Sequence, residues 1–102
     1  MMNMFTVVGR LMYVSSDYTN LVLTCVRSYK DSKGEYLNDE FTIFLPNGIA
    51  SKTAEYLKLG DVVGIKGHLE SFKYTKEGKE YRQTRLLADK ISFLSSKNLE
   101  EE

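Results

Sequence analysis

The sequence predicts an all-β protein, a barrel of five strands with a single helix between the third and fourth strands. Three observations predict it. The chain has 102 residues, the size of one domain that can bury a core without disulfides. Five segments rich in β-branched and aromatic residues are separated by turn-forming stretches. One segment after Pro46 carries its apolar residues at helical spacing.

The first three strands follow one another with short polar connections. Residues 4–11 form the first strand, with Gly9 where a strand can bulge or bend. Residues 21–29 begin apolar and become polar, which predicts a second strand that is buried first and exposed later. Residues 30–34 have the composition of a turn, and residues 35–45 alternate again. We therefore expect strands two and three to form a hairpin.

The helix begins after Pro46, which ends the third strand because it has no N–H to donate. Asn47 is the expected N-cap of a helix of about a dozen residues, and Gly60 is its expected end. The apolar stripe of this helix comprises Ile49, Ala50, Thr53, Ala54 and Leu57.

The last two strands form a second hairpin. Strand four covers residues 62–69 and continues outward to Tyr74, and residues 76–79 form the turn. Strand five runs from Tyr81 to about Leu94. Three strands, a helix and two strands is the order of the OB fold, a Greek-key barrel. We expect residues 1–94 to form this domain and residues 95–102 to be a short, disordered acidic tail.

The composition excludes several classes of protein. No apolar run approaches the length that crosses a bilayer, and the first residues lack the pattern of a signal peptide. We therefore predict a cytoplasmic protein with no membrane association. Cys25 is the only cysteine, so an internal disulfide and a cysteine-based zinc cluster are both impossible. It falls in an apolar run, where a buried and unreactive thiol is expected.

The sequence contains no pattern of a catalytic site. His68 is the only histidine, and no cysteine accompanies it at ligand spacing. Phosphate-binding glycine loops and the common hydrolase motifs are absent from the sequence. Asp39 and Glu40 are adjacent in a strand and so point to opposite faces. We predict a binding protein with no enzymatic activity, no metal and no cofactor.

The aromatic residues suggest what is bound. The chain has twelve Phe or Tyr and no Trp, more rings than its core needs. Phe5, Phe41, Tyr56 and Phe93 lie in apolar segments and are expected in the core. The others gather at the two hairpins among basic residues, and residues 66–90 hold seven Lys or Arg against four acids although the whole chain has no net charge.

A ring can stack any nucleobase, and a cation can neutralise a phosphate. Tyr36 and Tyr81 are equally consistent with cross-strand packing pairs, and each lysine with an ordinary solvated side chain. The candidate residues for binding single-stranded DNA are Tyr29, Lys30, Lys33, Tyr36, Phe44, Phe72, Lys73, Tyr74, Lys76, Lys79, Tyr81, Arg82 and Arg85.

Three segments resemble a known family. Residues 7–11 read Val-Val-Gly-Arg-Leu, residues 28–31 read Ser-Tyr-Lys-Asp, and residues 50–69 contain Ala-Glu-Tyr-Leu followed by Val-Val-Gly-Ile-Lys-Gly-His-Leu. They are similar to the corresponding segments of the bacterial single-stranded DNA-binding proteins, and the similarity extends over residues 3–93. The resemblance is to a short member with a single OB domain, and we expect no acidic tail ending in Pro-Phe of the kind that many members have.

The resemblance implies binding of single strands through stacked rings and basic side chains. By position it points to Tyr29, Lys30, Lys73 and Tyr74. The chain departs from the family in having no tryptophan, and Glu40 occupies the place of a stacking tryptophan. Phe44, four residues later on the same side of the strand, is a candidate replacement.

We therefore predict binding of single-stranded DNA with little sequence preference, in replication, repair, recombination or transfer of a mobile element. RNA is an alternative ligand. A second alternative is a protein-interaction module that docks to a helicase, primase or recombinase, which the neutral charge and Glu40 favour. Because the first strand is apolar and many relatives pair through theirs, we also expect a homo-oligomer, a dimer or a tetramer.

Overall fold

The computed structural model describes residues 1–46 and 48–95. The strands are β1 (Phe5–Val14), β2 (Asn20–Lys30), β3 (Tyr36–Phe44), β4 (Val62–Lys76) and β5 (Lys79–Ser95), and the helix is α1 (Ile49–Ala54). The strands form a closed barrel in the order β1-β2-β3-β5-β4. This arrangement confirms the predicted five-stranded OB barrel with one helix between strands three and four.

Three of the strand pairings involve β4 or β5. β4 pairs with β1 along one edge and with β5 along the other, both antiparallel. β3 and β5 are parallel and pair only over Ile43 with Leu86 and Phe44 with Leu87. The contact between the first and second hairpins of the barrel is therefore short, and the position of Phe44 lies directly on it.

Alternating residues of the strands fill the core. Leu11, Leu23, Ile43, Val63 and Ile65 are fully buried, and their neighbours in each strand are exposed or only partly buried. This is the period of two expected when one face of a sheet is buried. Phe5 and Phe41 pack against this core, which confirms their assignment from the sequence.

Two rings predicted for the core are exposed instead. Phe93 is 55% exposed because it lies near the end of β5, beyond Ile91, the last buried residue of that strand. Tyr56 is 81% exposed because it follows the helix rather than lying on it.

The helix is about half as long as predicted, with six residues. After Ala54 the backbone N–H groups of Glu55, Tyr56 and Leu57 bond to carbonyls three residues earlier, so the chain tightens into 3₁₀-type turns and the α-helix ends before Gly60. Gly48 is the N-cap. The predicted capping by Asn47 and the side chains of residues 49–51 lie outside the described part of the structure.

Gly9 is explained by close packing rather than by a bulge. The irregularity of β1 lies between Leu11 and Tyr13, whereas a Cβ on Gly9 would stand 2.6 Å from the carbonyl oxygen of Thr24. Cys25 is only partly buried, and its Sγ donates to the carbonyl of Val8 at 3.3 Å. Burial, reinforced by Asp39, raises the pKa of this thiol, which agrees with an unreactive cysteine.

Both predicted turns are present. In the first turn, Asp31 Oδ1 accepts hydrogen bonds from the backbone N–H groups of Lys33 and Glu35, each at 2.9 Å. In the second, Lys76 pairs with Lys79, and the two residues between them, Glu77 and Gly78, have φ of 52° and 79°. Positive φ at both positions is the signature of a type I′ hairpin turn, which suits the twist of the strands.

The end of the barrel differs by one residue from the prediction. Ser95, assigned to the tail from the sequence, is the last residue of β5 and pairs with Val62. The prediction of a disordered acidic tail otherwise concerns residues outside the described part of the chain. Within residues 1–46 and 48–95, no helix has the length and apolar character needed to cross a bilayer.

Candidate nucleic-acid interface

The outer part of the β4–β5 hairpin has two solvent-facing sides, and its register decides which residues share a side. Tyr74 pairs with Tyr81, Phe72 with Gln83, and Glu70 with Arg85. Paired residues and alternate residues of a strand lie on the same side of a sheet. Phe72, Tyr74, Tyr81 and Arg85 therefore share one side, which we call the ring face.

Three aromatic rings of the ring face contact one another in a row. The centroids of Phe72 and Tyr74 are 6.1 Å apart, and those of Tyr74 and Tyr81 are 5.4 Å apart with an interplanar angle of 21°. Tyr74 and Tyr81 remain 41% and 42% exposed. Tyr81 is thus a cross-strand packing partner, as the alternative interpretation held, and is also open to solvent.

Phe44 joins this row through Arg85. The Cζ of Arg85 lies 4.0 Å from the ring centroid of Phe72 and 4.8 Å from that of Phe44. β5 is the strand that separates β3 from β4, so the guanidinium lies between a ring of the barrel wall and a ring of the hairpin. The row runs from Phe44 through Arg85, Phe72 and Tyr74 to Tyr81.

The candidate cations of this hairpin divide between its two sides. Alternation places Lys76 and Lys79 on the ring face, where they flank the turn and are exposed. Lys73 and Arg82 pair with each other on the opposite side. Arg82 donates to Ser71 Oγ there at 3.3 Å. The structure therefore does not bring Lys73 and Arg82 together with the rings.

The candidates of the first hairpin form a separate group. The Nζ of Lys30 lies 5.6 Å from the centroid of Tyr36, over its ring. Lys33 is exposed in the turn.

Tyr29 is exposed and interacts with Arg27. Arg27 forms a bidentate ion pair with Asp39, in which Nη2 of Arg27 is 2.9 Å from Oδ1 of Asp39 and Nε is 3.0 Å from Oδ2. Tyr29 therefore lies on the same side of the hairpin as Arg27 and Asp39. Glu40 follows Asp39 in the strand, so Glu40 and Phe44 point to the opposite side.

A group of ionisable residues lies at the barrel end of the ring face, and sequence reasoning missed it. The ring nitrogens of His68 are 2.7 Å from Glu70 and 3.0 Å from Asp89. These two carboxylates, Glu70 first, raise the pKa of His68. The spacing of 68 and 70 puts both residues on one side of β4, but the contact with Asp89 depends on an irregular register between β4 and β5 at residues 66 and 67.

Sequence reasoning also missed that the strand register places Gln83 and Arg85 on the ring face. A two-residue turn fixes the pairing of both strands, so counting back from Lys76 and Lys79 places Gln83 beside Phe72. The contact of Arg85 with Phe44 has no such local signal because it depends on the β3–β5 pairing. In the described ranges, no group of three His, Cys, Asp or Glu is arranged to hold a metal ion.

Comparison with known proteins agrees with this architecture. Residues 2–94 match the profile of the single-strand binding protein family. The chain is 34% identical to a protein of Staphylococcus epidermidis named single-stranded DNA-binding protein, over 96% of this chain and 80% of that protein. It is 31% identical to single-stranded DNA-binding protein B of Bacillus subtilis, over 95% of this chain and 94% of that protein.

Solved structures share the fold at lower identity. The Plasmodium falciparum SSB in complex with single-stranded DNA superposes with a TM-score of 0.67 at 17% identity, covering 93% of this chain and 96% of that one. The small single-stranded DNA-binding protein of Streptomyces coelicolor gives 0.60 at 22% identity, covering 91% and 95%. Since the family match spans nearly all of the described barrel, the chain belongs to the single-strand binding protein family.

Proposed function

We propose that this protein binds single-stranded DNA with little sequence preference, in replication, repair, recombination or transfer of a mobile element. The observation that carries the proposal is the row of exposed rings on the ring face, Phe72, Tyr74 and Tyr81. Membership of the single-strand binding protein family supports the same ligand.

The ring row suits unpaired bases. Every nucleobase has a flat π-face, so a stacking platform contributes about 1–3 kcal/mol per base whatever the base is. In a duplex these faces are covered by neighbouring base pairs, and the rings cannot reach them. The preference for single strands therefore follows from stacking, and the low sequence preference follows from the same contact.

The charges of the ring face predict modest affinity and a shallow salt dependence. Lys76 and Lys79 can each neutralise a phosphate, but Glu70 is on the same face and the whole chain has no net charge. For single strands the slope of log affinity against log salt changes by about −0.7 for each phosphate neutralised. We expect a slope that corresponds to a few phosphates.

Fluorescence anisotropy with labelled oligo(dT) tests the proposal. We expect binding at low salt with a Kd below about 10 μM, weakening as salt increases, and no comparable binding to a duplex of the same length. Absence of binding to oligo(dT) at low salt contradicts the proposal. Competition by oligo(U) separates DNA from RNA, because stacking platforms accept either chain; equal competition would make RNA an equally good ligand.

A second candidate function is docking to a replication or recombination enzyme such as a helicase, primase or recombinase. Glu40 favours it, because this exposed carboxylate lies on the same side of β3 as Phe44 and repels phosphate. Stable association of such an enzyme together with no measurable affinity for oligo(dT) would make docking the better account.

We further propose that the protein self-associates through the outer face of β1, β4 and β5. Val8 and Leu94 are 55% and 52% exposed. Their methyl carbons each approach to 3.7 Å of the position that a Cβ on Gly64 would take. Two exposed apolar side chains thus flank a glycine, and a second copy can cover them.

A further inference from the structure

We propose that Arg85 is a positioning residue that joins the rings of Phe44 and Phe72 into one platform, rather than a phosphate contact. The inference rests on the proposed function, because it assigns a role in binding a single strand. It also revises the sequence interpretation, in which Arg85 is one of several cations that neutralise phosphates.

The contacts of Arg85 are with rings on both neighbouring strands. Its Cζ is 4.0 Å from the centroid of Phe72 on β4 and 4.8 Å from that of Phe44 on β3. A flat guanidinium stacks on aromatic faces as a lysine ammonium cannot. Both rings are half-buried although they stand on the outer surface of the sheet. The guanidinium therefore occupies the space between them.

This position matters because little else connects the two rings. β3 and β5 share only two residue pairs, and the hairpin that carries Phe72 extends beyond the barrel to the turn at Lys76 and Lys79. Without Arg85 the row of Phe72, Tyr74 and Tyr81 would end at the base of the hairpin. With Arg85 the platform continues onto Phe44 in the barrel wall.

The electrostatic surroundings agree with a positioning role. Glu70 is the cross-strand partner of Arg85. It lies on the same face, where it also contacts His68 at 2.7 Å. The nearby carboxylate weakens the attraction between the guanidinium and an approaching phosphate. Lys76 and Lys79 at the turn have no acid at their paired positions and are the better phosphate contacts.

Substitutions that separate charge from shape test the proposal. Arg85→Lys keeps the charge and removes the flat stacking group, and Arg85→Met removes the charge. We expect Arg85→Lys to weaken oligo(dT) binding roughly fivefold, with the salt slope of the unmodified protein. Arg85→Met should weaken it at least as much and also leave the slope unchanged. Lys58→Met, which removes an exposed charge beside the helix and away from the ring face, should bind normally.

Two further variants complete the test. Lys79→Met should lower the salt slope by about 0.7, the effect of one lost phosphate contact. In a Phe72→Ala background, Arg85→Met should cause no additional loss, because the two residues act as a unit. A phosphate contact predicts the reverse: normal binding by Arg85→Lys, a slope lowered by Arg85→Met, and additive losses. That pattern would overturn the proposal.

A measurement without DNA keeps this proposal distinct from the proposed function. In the NMR spectrum of the free protein, ring currents from Phe44 and Phe72 should shift the Arg85 Nε–H resonance, and either ring→Leu substitution should reduce the shift. An unshifted resonance overturns the positioning role even where oligo(dT) binds. A shifted resonance with no DNA binding contradicts the proposed function and leaves the geometry intact.

Discussion

Tyr74 is the side chain on which the ring face most depends. It is the middle ring of the row, 6.1 Å from Phe72 and 5.4 Å from Tyr81 between centroids. Stacking against Tyr81 holds its ring in one orientation, while 41% of the side chain stays exposed. A ring that is already ordered loses little conformational entropy when a base stacks on it.

We predict that Tyr74→Ala weakens oligo(dT) binding by about 1–3 kcal/mol, roughly 5- to 150-fold in Kd. Tyr56→Ala is the matched control, since Tyr56 is 81% exposed beside the helix and has no place on the ring face. Anisotropy titration should show a normal Kd for this control, and thermal unfolding should show both variants folded. Equal losses for the two variants would remove Tyr74 from the binding site.

Single side chains differ in how far the sequence predicts them. The rings of the second hairpin are predictable from alternation, because a two-residue turn fixes which residues share a face. Tyr29 is less predictable. The irregular register of β2 and β3 between Val26 and Lys30 and the ion pair of Arg27 with Asp39 determine its side of the hairpin. These are tertiary contacts that no local pattern encodes.

Among the elements, the β4–β5 hairpin is the longest and carries most of the candidate residues. It pairs continuously from Leu69 with Leu86 to Lys76 with Lys79. At the barrel end, His68 on β4 contacts Asp89 on β5 and Glu70 on its own strand. This histidine therefore links the two strands where the projecting part of the hairpin begins.

The contacts of His68 with Glu70 and Asp89 predict that the stability of the protein depends on pH. The carboxylates of Glu70 and Asp89 raise the pKa of His68 above its ordinary value of 6.5. Partial burial of the imidazole opposes this shift but does not cancel it. A raised pKa in the folded state means that the stabilisation is complete below pH 6.5. It is lost as the pH rises through the folded-state pKa.

Urea unfolding of the protein and of His68→Gln should reveal this effect. We expect the free energy of unfolding of the unmodified protein to exceed that of the variant at about pH 5.5, and the difference to shrink at about pH 8.5. Glutamine is the control because it can donate a hydrogen bond but does not titrate. A difference that stays constant or grows with pH would show that His68 is not charged in the folded protein.

The strands could be predicted from the sequence, and the helix only in part. Alternation and turn residues such as Gly34 and Gly78 mark strand ends locally. The apolar stripe after Pro46 correctly indicates a helix but overestimates its length, because its final positions belong to 3₁₀-type turns. Leu57 packs against the core from such a turn, so burial alone does not distinguish the two conformations.

At the scale of the whole molecule, the barrel supports two different surfaces. The ring face extends from Phe44 in the barrel wall along the projecting hairpin. The second surface is the outer face of β1, β4 and β5 around Gly64, where Val8 and Leu94 are exposed and apolar. The two surfaces differ in chemistry, since the first combines rings with lysines and the second presents the aliphatic side chains of Val8 and Leu94.

Substitution of Leu94 tests whether the second surface joins copies of the chain. A lysine at the centre of an apolar interface must be desolvated without a partner, which is strongly unfavourable. We therefore expect light scattering coupled to size-exclusion chromatography to show the unmodified protein as an oligomer and Leu94→Lys as a smaller species. Leu59→Lys is the matched control because Leu59 is similarly exposed, at 63%, beside the helix. Because the ring face lies farther along β4, beyond His68, monomeric Leu94→Lys should still bind a short oligo(dT). An unmodified protein that is monomeric, or a Leu94→Lys variant of unchanged size, would exclude this surface as the interface.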